Sequence, residues 1–195
     1  MLSTEECRKI AYRAHEGQRY SEFPHMYHVE RVVANVVKWY PIAEDYLFIT
    51  LDGLKSAAYL HDVVEDSEVT LQDLGELGVS STIIEIVDCV TDGTEGNRSA
   101  RKQIAYDKTQ KSDLRLEATF VKLCDRIANV EFSIEEGKGM QQMYRKEHPK
   151  FKEALYYHDT KEFCKPKDVL MQLYPEPIVV CMLQPMWKRL DELLK

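Results

Sequence analysis

A histidine and an aspartate stand side by side at the end of an apolar segment, where they could bind a metal ion. The segment reads SAAYLHD and ends at His61 and Asp62. An imidazole nitrogen and a carboxylate oxygen at one rigid point suit Mn²⁺, Fe²⁺, Co²⁺ or Zn²⁺ better than Ca²⁺ or Mg²⁺. The alternative is a helix C-terminus at which His61 satisfies free backbone carbonyls. The dipeptide alone favours this structural alternative.

Two further carboxylates follow this pair at helical spacing. Glu65 lies four residues after His61 and three after Asp62, so a continuing helical turn would place all three on one face. Together with Asp66 they make three carboxylates near an apolar helix end, where they would repel one another. A bound cation would relieve that repulsion. The alternative is a solvated acidic turn, which the polar residues that follow also allow.

Two more candidate ligands lie far apart in the chain. His28 precedes a valine-rich segment in PHMYHV, a position at which a single histidine is usually structural. Asp125 lies on an otherwise apolar helix face in FVKLCDRIAN, and a buried carboxylate is costly unless it is paired. Lys122 or Arg126 could pair with it. Asn129 comes one helical turn later and should face the same cavity as Asp125.

The order of these residues strengthens the metal interpretation. His28, His61, Asp62 and Asp125 would provide two nitrogen and two oxygen ligands of a six-coordinate ion. Two positions would stay open for water or substrate. Other catalytic patterns do not occur: the sequence contains no GxGxxG, GxxxxGK[ST], HExxH or GxSxG segment.

The elements that must position these residues are predicted to be helices. Ser3 with Glu6 fits a capping box at the first helix. A second helix carries valines 29, 32, 33, 36 and 37 on one side and is expected to stop at Pro41. Further helices are predicted over about 52–64, from Thr70 through Leu74, from Ser80 or Ser81 through Val90, over 114–136, over about 140–158 with a kink or division at Pro149, and around Trp187, Leu190, Leu193 and Leu194.

Loops are predicted at 17–24, 92–99 and 137–139, and 92–99 and 159–168 are the best candidates for mobile loops. We find no repeat, low-complexity segment or linker between domains. The pattern predicts an almost strand-free, all-α protein of one domain over residues 1–195, which is an ordinary length for a single core.

Composition and charge exclude several classes of partner. The formal net charge is −7 and no run of Lys and Arg stands out, so broad attraction to nucleic acid or to an anionic membrane is not expected. The five cysteines form no CxxC pair, which favours reduced thiols. No segment resembles a signal peptide or a membrane span. We expect a cytoplasmic protein that acts on a small molecule; the sequence does not specify an oligomeric state.

Five segments resemble the hydrolase domain of the RelA/SpoT alarmone enzymes and their small stand-alone relatives. They occur in the family's order over about residues 8–158: AHEGQ, PHMYHV, AAYLHDVVEDSEVT, IVDCVTDGT and FVKLCDRIANV. The resemblance implies an all-α HD bundle, followed here by a helical extension over 159–195. It implies one Mn²⁺ ion bound by the positions of His28, His61, Asp62 and Asp125, with Glu65 and Asp66 serving the catalytic water. The implied reaction removes pyrophosphate from the 3′ position of ppGpp or pppGpp.

The segment RYSEFP departs from the family pattern. It is one residue shorter than the family's basic-Lys-Ser-Gly stretch, and Arg19 is its only basic residue. Arg19, Lys122, Asn129 and Tyr144 are the candidates for holding phosphate or base. The alternatives are an HD-type phosphatase or pyrophosphohydrolase that acts on another nucleotide, and an HD module that binds a nucleotide without cleaving it. A purely structural helical protein would leave the interior histidines and carboxylates unexplained.

Overall fold

Helices dominate the computed structural model, which describes residues 2–45, 47–137, 139–156 and 183–195. The helices are α1 (Thr4–Ala14), α2 (Met26–Ala43), α3 (Leu51–Leu60), α4 (Val63–Asp66), α5 (Leu71–Glu76), α6 (Ser81–Val90), α7 (Arg98–Lys111), α8 (Arg115–Glu136), α9 (Met140–Leu155) and α10 (Gln184–Leu193). A minimal antiparallel hairpin, β1 (Arg19–Tyr20) with β2 (Phe23–Pro24), occupies the predicted loop at 17–24. The predicted all-α fold class is confirmed.

The long helix α8 is the centre of the bundle. It packs against α2, α6, α7, α9 and α10, while α3 packs against α1, α2 and α6. Phe120, Leu123, Ile127 and Val130, predicted to share one face of this helix, are all fully buried. Full burial of a large apolar side chain contributes roughly 1.5–3 kcal/mol, so this face anchors the core. No helix in the described ranges is long and apolar enough to cross a membrane.

Polar side chains at the helix starts follow the sequence prediction. The Ser3 hydroxyl accepts a hydrogen bond from the Glu6 N–H and the Glu6 carboxylate accepts one from the Ser3 N–H, as the predicted capping box requires. Thr70 caps α5 in the same way. Of the two serines proposed for α6, Ser80 is the cap. Each such cap typically stabilises a helix by about 1 kcal/mol.

The predicted helix over 52–64 is interrupted at the metal-ligand candidates. Helix α3 ends at Leu60, and the separate turn α4 begins at Val63. The His61 ring bonds through Nδ1 to the carbonyl oxygen of Ala58, at 2.7 Å. That carbonyl would accept the N–H of Asp62 in an uninterrupted helix. The side chain thus competes with the backbone where the chain turns.

Two details of the helix prediction were wrong. Helix α2 continues past Pro41 to Ala43, because Pro41 lies in its last turn and removes only one hydrogen bond, to the Val37 carbonyl. Val37 is 47% exposed, whereas the other four valines of the predicted face are buried. Of the kink or division predicted at Pro149, the division does not occur, since helix α9 spans this residue.

Helix α7 was not predicted, and it shortens the loop expected at 92–99. It begins after Asn97, whose side chain accepts a hydrogen bond from the Ala100 N–H. Its sequence is highly charged, and only Ala105, Tyr106 and Thr109 are buried, so it lacks a clear apolar stripe.

Some predictions concern residues 157–182, which lie outside the described ranges. They include the loop at 159–168, Cys164, Cys181 and most of the proposed extension. The single domain over 1–195 therefore stays a prediction. The final amphipathic helix is present as α10, in which Trp187 and Leu190 are buried.

Candidate active site

A polar cleft of about 320 Å³ opens where the hairpin, the α3–α4 turn and helices α2, α7, α8 and α9 meet. All ten residues predicted to form the site line this cleft. They are His28, His61, Asp62, Asp125, Glu65, Asp66, Arg19, Lys122, Asn129 and Tyr144. Helix packing therefore brings together side chains that are far apart in the sequence.

The four predicted metal ligands converge at one end of the cleft. His28 Nε2 lies 3.4 Å from Asp62 Oδ2 and 3.3 Å from Asp125 Oδ1. His61 Nε2 lies 3.1 Å from Asp62 Oδ2 and 3.9 Å from Asp125 Oδ1. Donor atoms of His28, His61 and Asp125 all lie within 4.8 Å of one another, and Asp62 Oδ2 lies within 3.4 Å of both histidines. We call this set the four-donor site.

The alternative partners proposed for Asp125 are engaged elsewhere. Lys122 Nζ donates to the Val90 carbonyl and lies 3.0 Å from Asp92 Oδ1. Arg126 Nη1 donates to Glu147 Oε2 at 3.0 Å. Neither cation neutralises Asp125 by direct contact, so this structural explanation of the carboxylate was wrong.

The environment of His61 suits a metal ligand. Since the Ala58 carbonyl can only accept a hydrogen bond, Nδ1 carries the proton of the neutral ring. The lone pair of Nε2 then faces carboxylate oxygens, and within the described residues this buried nitrogen has no hydrogen-bond partner. Lone pairs facing one another repel, whereas a bound cation attracts them all. The donor set therefore fits a divalent transition metal.

The field of the site favours positive charge. Burial disfavours the charged form of His28, but its bonds to Asp125 and Asp62 outweigh burial and raise its pKa to about 10. Burial likewise raises the pKa of Asp125, yet the adjacent His28 and His61 outweigh it and lower that pKa to about 2. The carboxylates thus remain charged, and a metal ion could replace the His28 proton.

A side chain that was not predicted, Tyr20, supports two of these groups. Its hydroxyl donates to Asn129 Oδ1 at 2.7 Å, and Asn129 Nδ2 donates in turn to Asp125 Oδ1. Its ring stacks on His28 with the centroids 4.8 Å apart. Asn129 therefore faces the same cavity as Asp125, as expected, but it orients the carboxylate through this chain of hydrogen bonds.

The two predicted catalytic carboxylates lie on α4, beside the four-donor site. The N–H of Asp92 donates to Glu65 Oε2 at 3.2 Å. Although both side chains are exposed at the cleft, partial desolvation and then the Asp92 carboxylate raise the pKa of Glu65, while partial desolvation and then Asp62 raise that of Asp66. A carboxylate with a raised pKa is a stronger base at neutral pH, which suits transfer of a proton from water.

Basic side chains also line the cleft. The Asp92 carboxylate holds two lysines, with Lys102 Nζ 3.0 Å from Oδ2 and Lys122 Nζ 3.0 Å from Oδ1. Arg98 Nε lies 2.7 Å from Glu147 Oε1. We call Arg98, Lys102 and Lys122 the basic wall. Of these three residues, only Lys122 was predicted from the sequence. Asn97 is a typical helix cap, and a helix that begins after it would place Arg98 and Lys102 one turn apart.

The remaining two candidates, Arg19 and Tyr144, line other parts of the cleft. Arg19 is exposed in the hairpin, and its guanidinium donates to the Glu22 carbonyl. Tyr144 is buried, with its ring 5.0 Å from the Arg126 guanidinium carbon. His25 also lines the cleft and was missed, although it lies in the segment PHMYHV that drew attention to His28.

Comparison with known proteins identifies similar proteins. No family model matches the chain. The guanosine-3′,5′-bis(diphosphate) 3′-pyrophosphohydrolase MESH1 of Drosophila melanogaster is 31% identical over 128 residues, and the match covers 64% of this chain and 66% of that protein, just under two thirds of its length. The solved structure of a metazoan ortholog of SpoT that hydrolyzes ppGpp aligns with a TM-score of 0.64 and 23% identity over 97% of this chain and 92% of that one. The predicted resemblance to the RelA/SpoT alarmone hydrolases is therefore confirmed, and the chain has the all-α, HD-type fold.

Proposed function

We propose that this protein is a metal-dependent phosphohydrolase that removes pyrophosphate from the 3′ position of ppGpp or pppGpp. The observation that carries the proposal is one cleft lined by the four-donor site, Glu65 and the basic wall together. The relative from Drosophila melanogaster is named for this activity. A phosphate ester bound in this cleft would place its reacting phosphorus near the carboxylates and its other phosphates near the cations.

His28, His61, Asp62 and Asp125 would hold one divalent ion. The mixed nitrogen and oxygen donors suit several divalent transition metals, and we propose Mn²⁺ because the family resemblance implies it. When bound, such an ion lowers the pKa of water and polarises a phosphoryl oxygen. Tyr20 and Asn129 keep Asp125 in place through their hydrogen bonds.

Glu65 is proposed to accept the proton of the attacking water. The Asp92 N–H fixes one of its carboxylate oxygens, so the other can face the substrate side of the cleft. Asp66 would help to orient the water. Lys102 and Arg98 offer charge-assisted hydrogen bonds to phosphate oxygens, for which they would compete with Asp92 and Glu147. Lys122 is buried against Asp92, so its proposed role is to position that carboxylate and to add positive charge.

An HD-type phosphatase or pyrophosphohydrolase that acts on another nucleotide is the second candidate. The observation that favours it is the hairpin, where Tyr20 turns inward onto His28 and only Arg19 is left as a basic group for the substrate. A module that binds a nucleotide without cleaving it is a weaker alternative, because the cleft retains the Glu65 and Asp66 carboxylates beside the four-donor site.

The location and partners are proposals of the same kind. We propose a cytoplasmic protein that acts on a free nucleotide and binds neither nucleic acid nor membrane. The net charge of −7 and the free, buried thiols of Cys7, Cys89 and Cys124 support this.

A substrate panel tests the proposed function. Purified protein with Mn²⁺ is assayed against ppGpp, other 3′-phosphorylated nucleotides and dNTPs, with the Glu65→Gln variant as the control for contaminating activity. We expect pyrophosphate release from ppGpp by the wild type and much less by the variant. Preferred hydrolysis of another nucleotide would select the second candidate, and binding without hydrolysis of any nucleotide would select the binding module.

A further inference from the structure

A second group of metal-donor atoms lies beside the four-donor site. One ring nitrogen of His25 and one carboxylate oxygen from each of Asp62 and Asp66 lie within 4.8 Å of one another. His25 and Asp66 are outside the four-donor site, whereas Asp62 belongs to both groups. We propose that these three residues bind a second divalent cation and that Asp62 bridges the two ions. The inference rests on the four-donor site holding a metal, but it does not depend on which nucleotide is the substrate.

The His25 ring is fixed in an orientation that suits a ligand. The residue is only 8% exposed, and its Nε2 lies 3.3 Å from Asp62 Oδ2. Its ring stacks on His15, with the centroids 4.1 Å apart and the planes at 20°. A second hydrogen bond holds His15 in turn, since its Nδ1 lies 2.9 Å from Gln18 Oε1. The nitrogen donor therefore needs little further ordering before it binds an ion.

An unused nitrogen lies next to this group. His15 is 3% exposed, and its Nε2 is buried with no hydrogen-bond partner among the described residues. A buried nitrogen without a partner is unfavourable unless a ligand or water satisfies it. This observation is independent of the carboxylates, and the ring that carries this nitrogen stacks directly on His25.

Asp66 is anchored through its backbone, which leaves its carboxylate available. Gln18 Nε2 donates to the Asp66 carbonyl oxygen at 2.6 Å and thereby ties α4 to the His15–His25 stack. Within the described residues, the Asp66 carboxylate accepts no hydrogen bond and forms no ion pair. The like-charged Asp62 lies close to this carboxylate. A cation between the two carboxylates would therefore replace their repulsion with attraction.

Asp62 has the position expected of a bridging ligand. Three histidine nitrogens surround its Oδ2: His61 at 3.1 Å, His25 at 3.3 Å and His28 at 3.4 Å. In two-metal phosphoryl-transfer sites the ions lie roughly 3.5–4 Å apart and stabilise the attacking and leaving oxygens together. One imidazole and two carboxylates suit Mn²⁺. Because the second site has fewer donors and one of them is exposed, we expect it to fill after the four-donor site.

Titration of the full chain with Mn²⁺, followed by calorimetry and electron paramagnetic resonance, tests the inference without any nucleotide. We expect two equivalents to bind, the second more weakly, and the signal of a magnetically coupled Mn²⁺ pair to appear as the second equivalent binds. His25→Gln should bind one equivalent and show no coupled signal. Asp66→Asn should do the same, and because Asp66 is exposed, this variant should fold normally.

The matched control is His148→Gln, because His148 pairs with Asp191 at 2.7 Å, outside the cleft. It should retain both equivalents and the coupled signal. Saturation of the wild type at one equivalent, or two equivalents bound by both His25→Gln and Asp66→Asn, would overturn the second site. Failure of the proposed function would look different, since Mn²⁺ would bind as expected while ppGpp stayed intact.

Discussion

The four-donor site and the basic wall differ in how their charges are balanced. At the four-donor site, two carboxylates lie against His28 and His61, and the proton on His28 supplies the compensating positive charge. On the basic wall, each cation already has a carboxylate partner, either Asp92 or Glu147. The four-donor site can therefore exchange a proton for a metal ion, whereas the basic wall keeps its charges in fixed ion pairs. Variants of the two regions should therefore fail in different ways.

The largest effect is expected from Asp62→Ala, which removes the ligand in contact with three histidines. The variant should bind no metal at the four-donor site. Activity should fall by more than about 10³-fold, because metal catalysis contributes several kcal/mol and each 1.36 kcal/mol is tenfold in rate. Elemental analysis of a folded, metal-supplemented sample gives the metal content. Asp191→Ala, which removes a carboxylate outside the cleft, is the control. A full metal content in Asp62→Ala would contradict the ligand assignment.

A smaller loss, without loss of metal at the four-donor site, is expected from Glu65→Gln. The amide keeps the size and hydrogen bonding of the side chain but cannot accept a proton from water. General-base catalysis contributes about 10²–10⁴-fold, so kcat should fall by that factor. Asp66→Asn should act in the same direction and less strongly. If Glu65→Gln also emptied the four-donor site, Glu65 would be a ligand; if activity were unchanged, α4 would be only a solvated acidic turn.

On the basic wall, Lys102→Met should weaken substrate binding and spare the metal. A charge-assisted hydrogen bond contributes about 1.5–3 kcal/mol, so KM should rise at least about tenfold. Lys108→Met is the matched control on the same helix, because Lys108 pairs with Asp88 and does not line the cleft. Equal KM values for the two variants would show that Lys102 serves only to neutralise Asp92.

The smallest effect expected is a pH dependence of metal binding. Because the pKa of His28 is raised to about 10 in the metal-free protein, a metal ion must displace its proton at neutral pH. Apparent affinity for Mn²⁺ should rise by about threefold for each half unit of pH below 10, which follows from one proton released. In the metal-free protein the sign for stability is opposite. The stabilisation from charged His28 is fully present below its unfolded pKa and is lost as pH rises through about 10. Calorimetric titrations at pH 7.0 and 7.5 measure the first effect, and an affinity independent of pH would contradict it.

The same contrast explains what could be predicted from the sequence. His61, Asp62 and Asp125 are polar residues in apolar helical segments, so local sequence alone marks them as exceptional. Arg98 and Lys102 lie on the charged helix α7, where a basic residue looks like an ordinary solvated group. Their function depends on Asp92 and Glu147, which approach from other parts of the chain. Such pairing requires the packed helices, and no local pattern contains it.

The small-scale turns show the same limit. The capping box at Ser3 was predictable because its two side chains lie three residues apart. The break after Leu60 was not, because it involves the His61 ring and the Ala58 carbonyl, and a helical pattern alone gives no reason for that contact. Tyr20 was not predicted because it lies in the hairpin, whereas its partners Asn129 and His28 lie on two different helices.

Anomalous diffraction at the manganese absorption edge tests the central claim most directly. In crystals of the wild-type protein grown with limiting Mn²⁺, we predict that the strongest anomalous peak lies within the four-donor site, in contact with His28, His61, Asp62 and Asp125. Limiting metal separates this peak from one beside His25, which should grow only at higher Mn²⁺ concentration. A strongest peak anywhere else, or well-ordered crystals without a peak between these four side chains, would contradict the account.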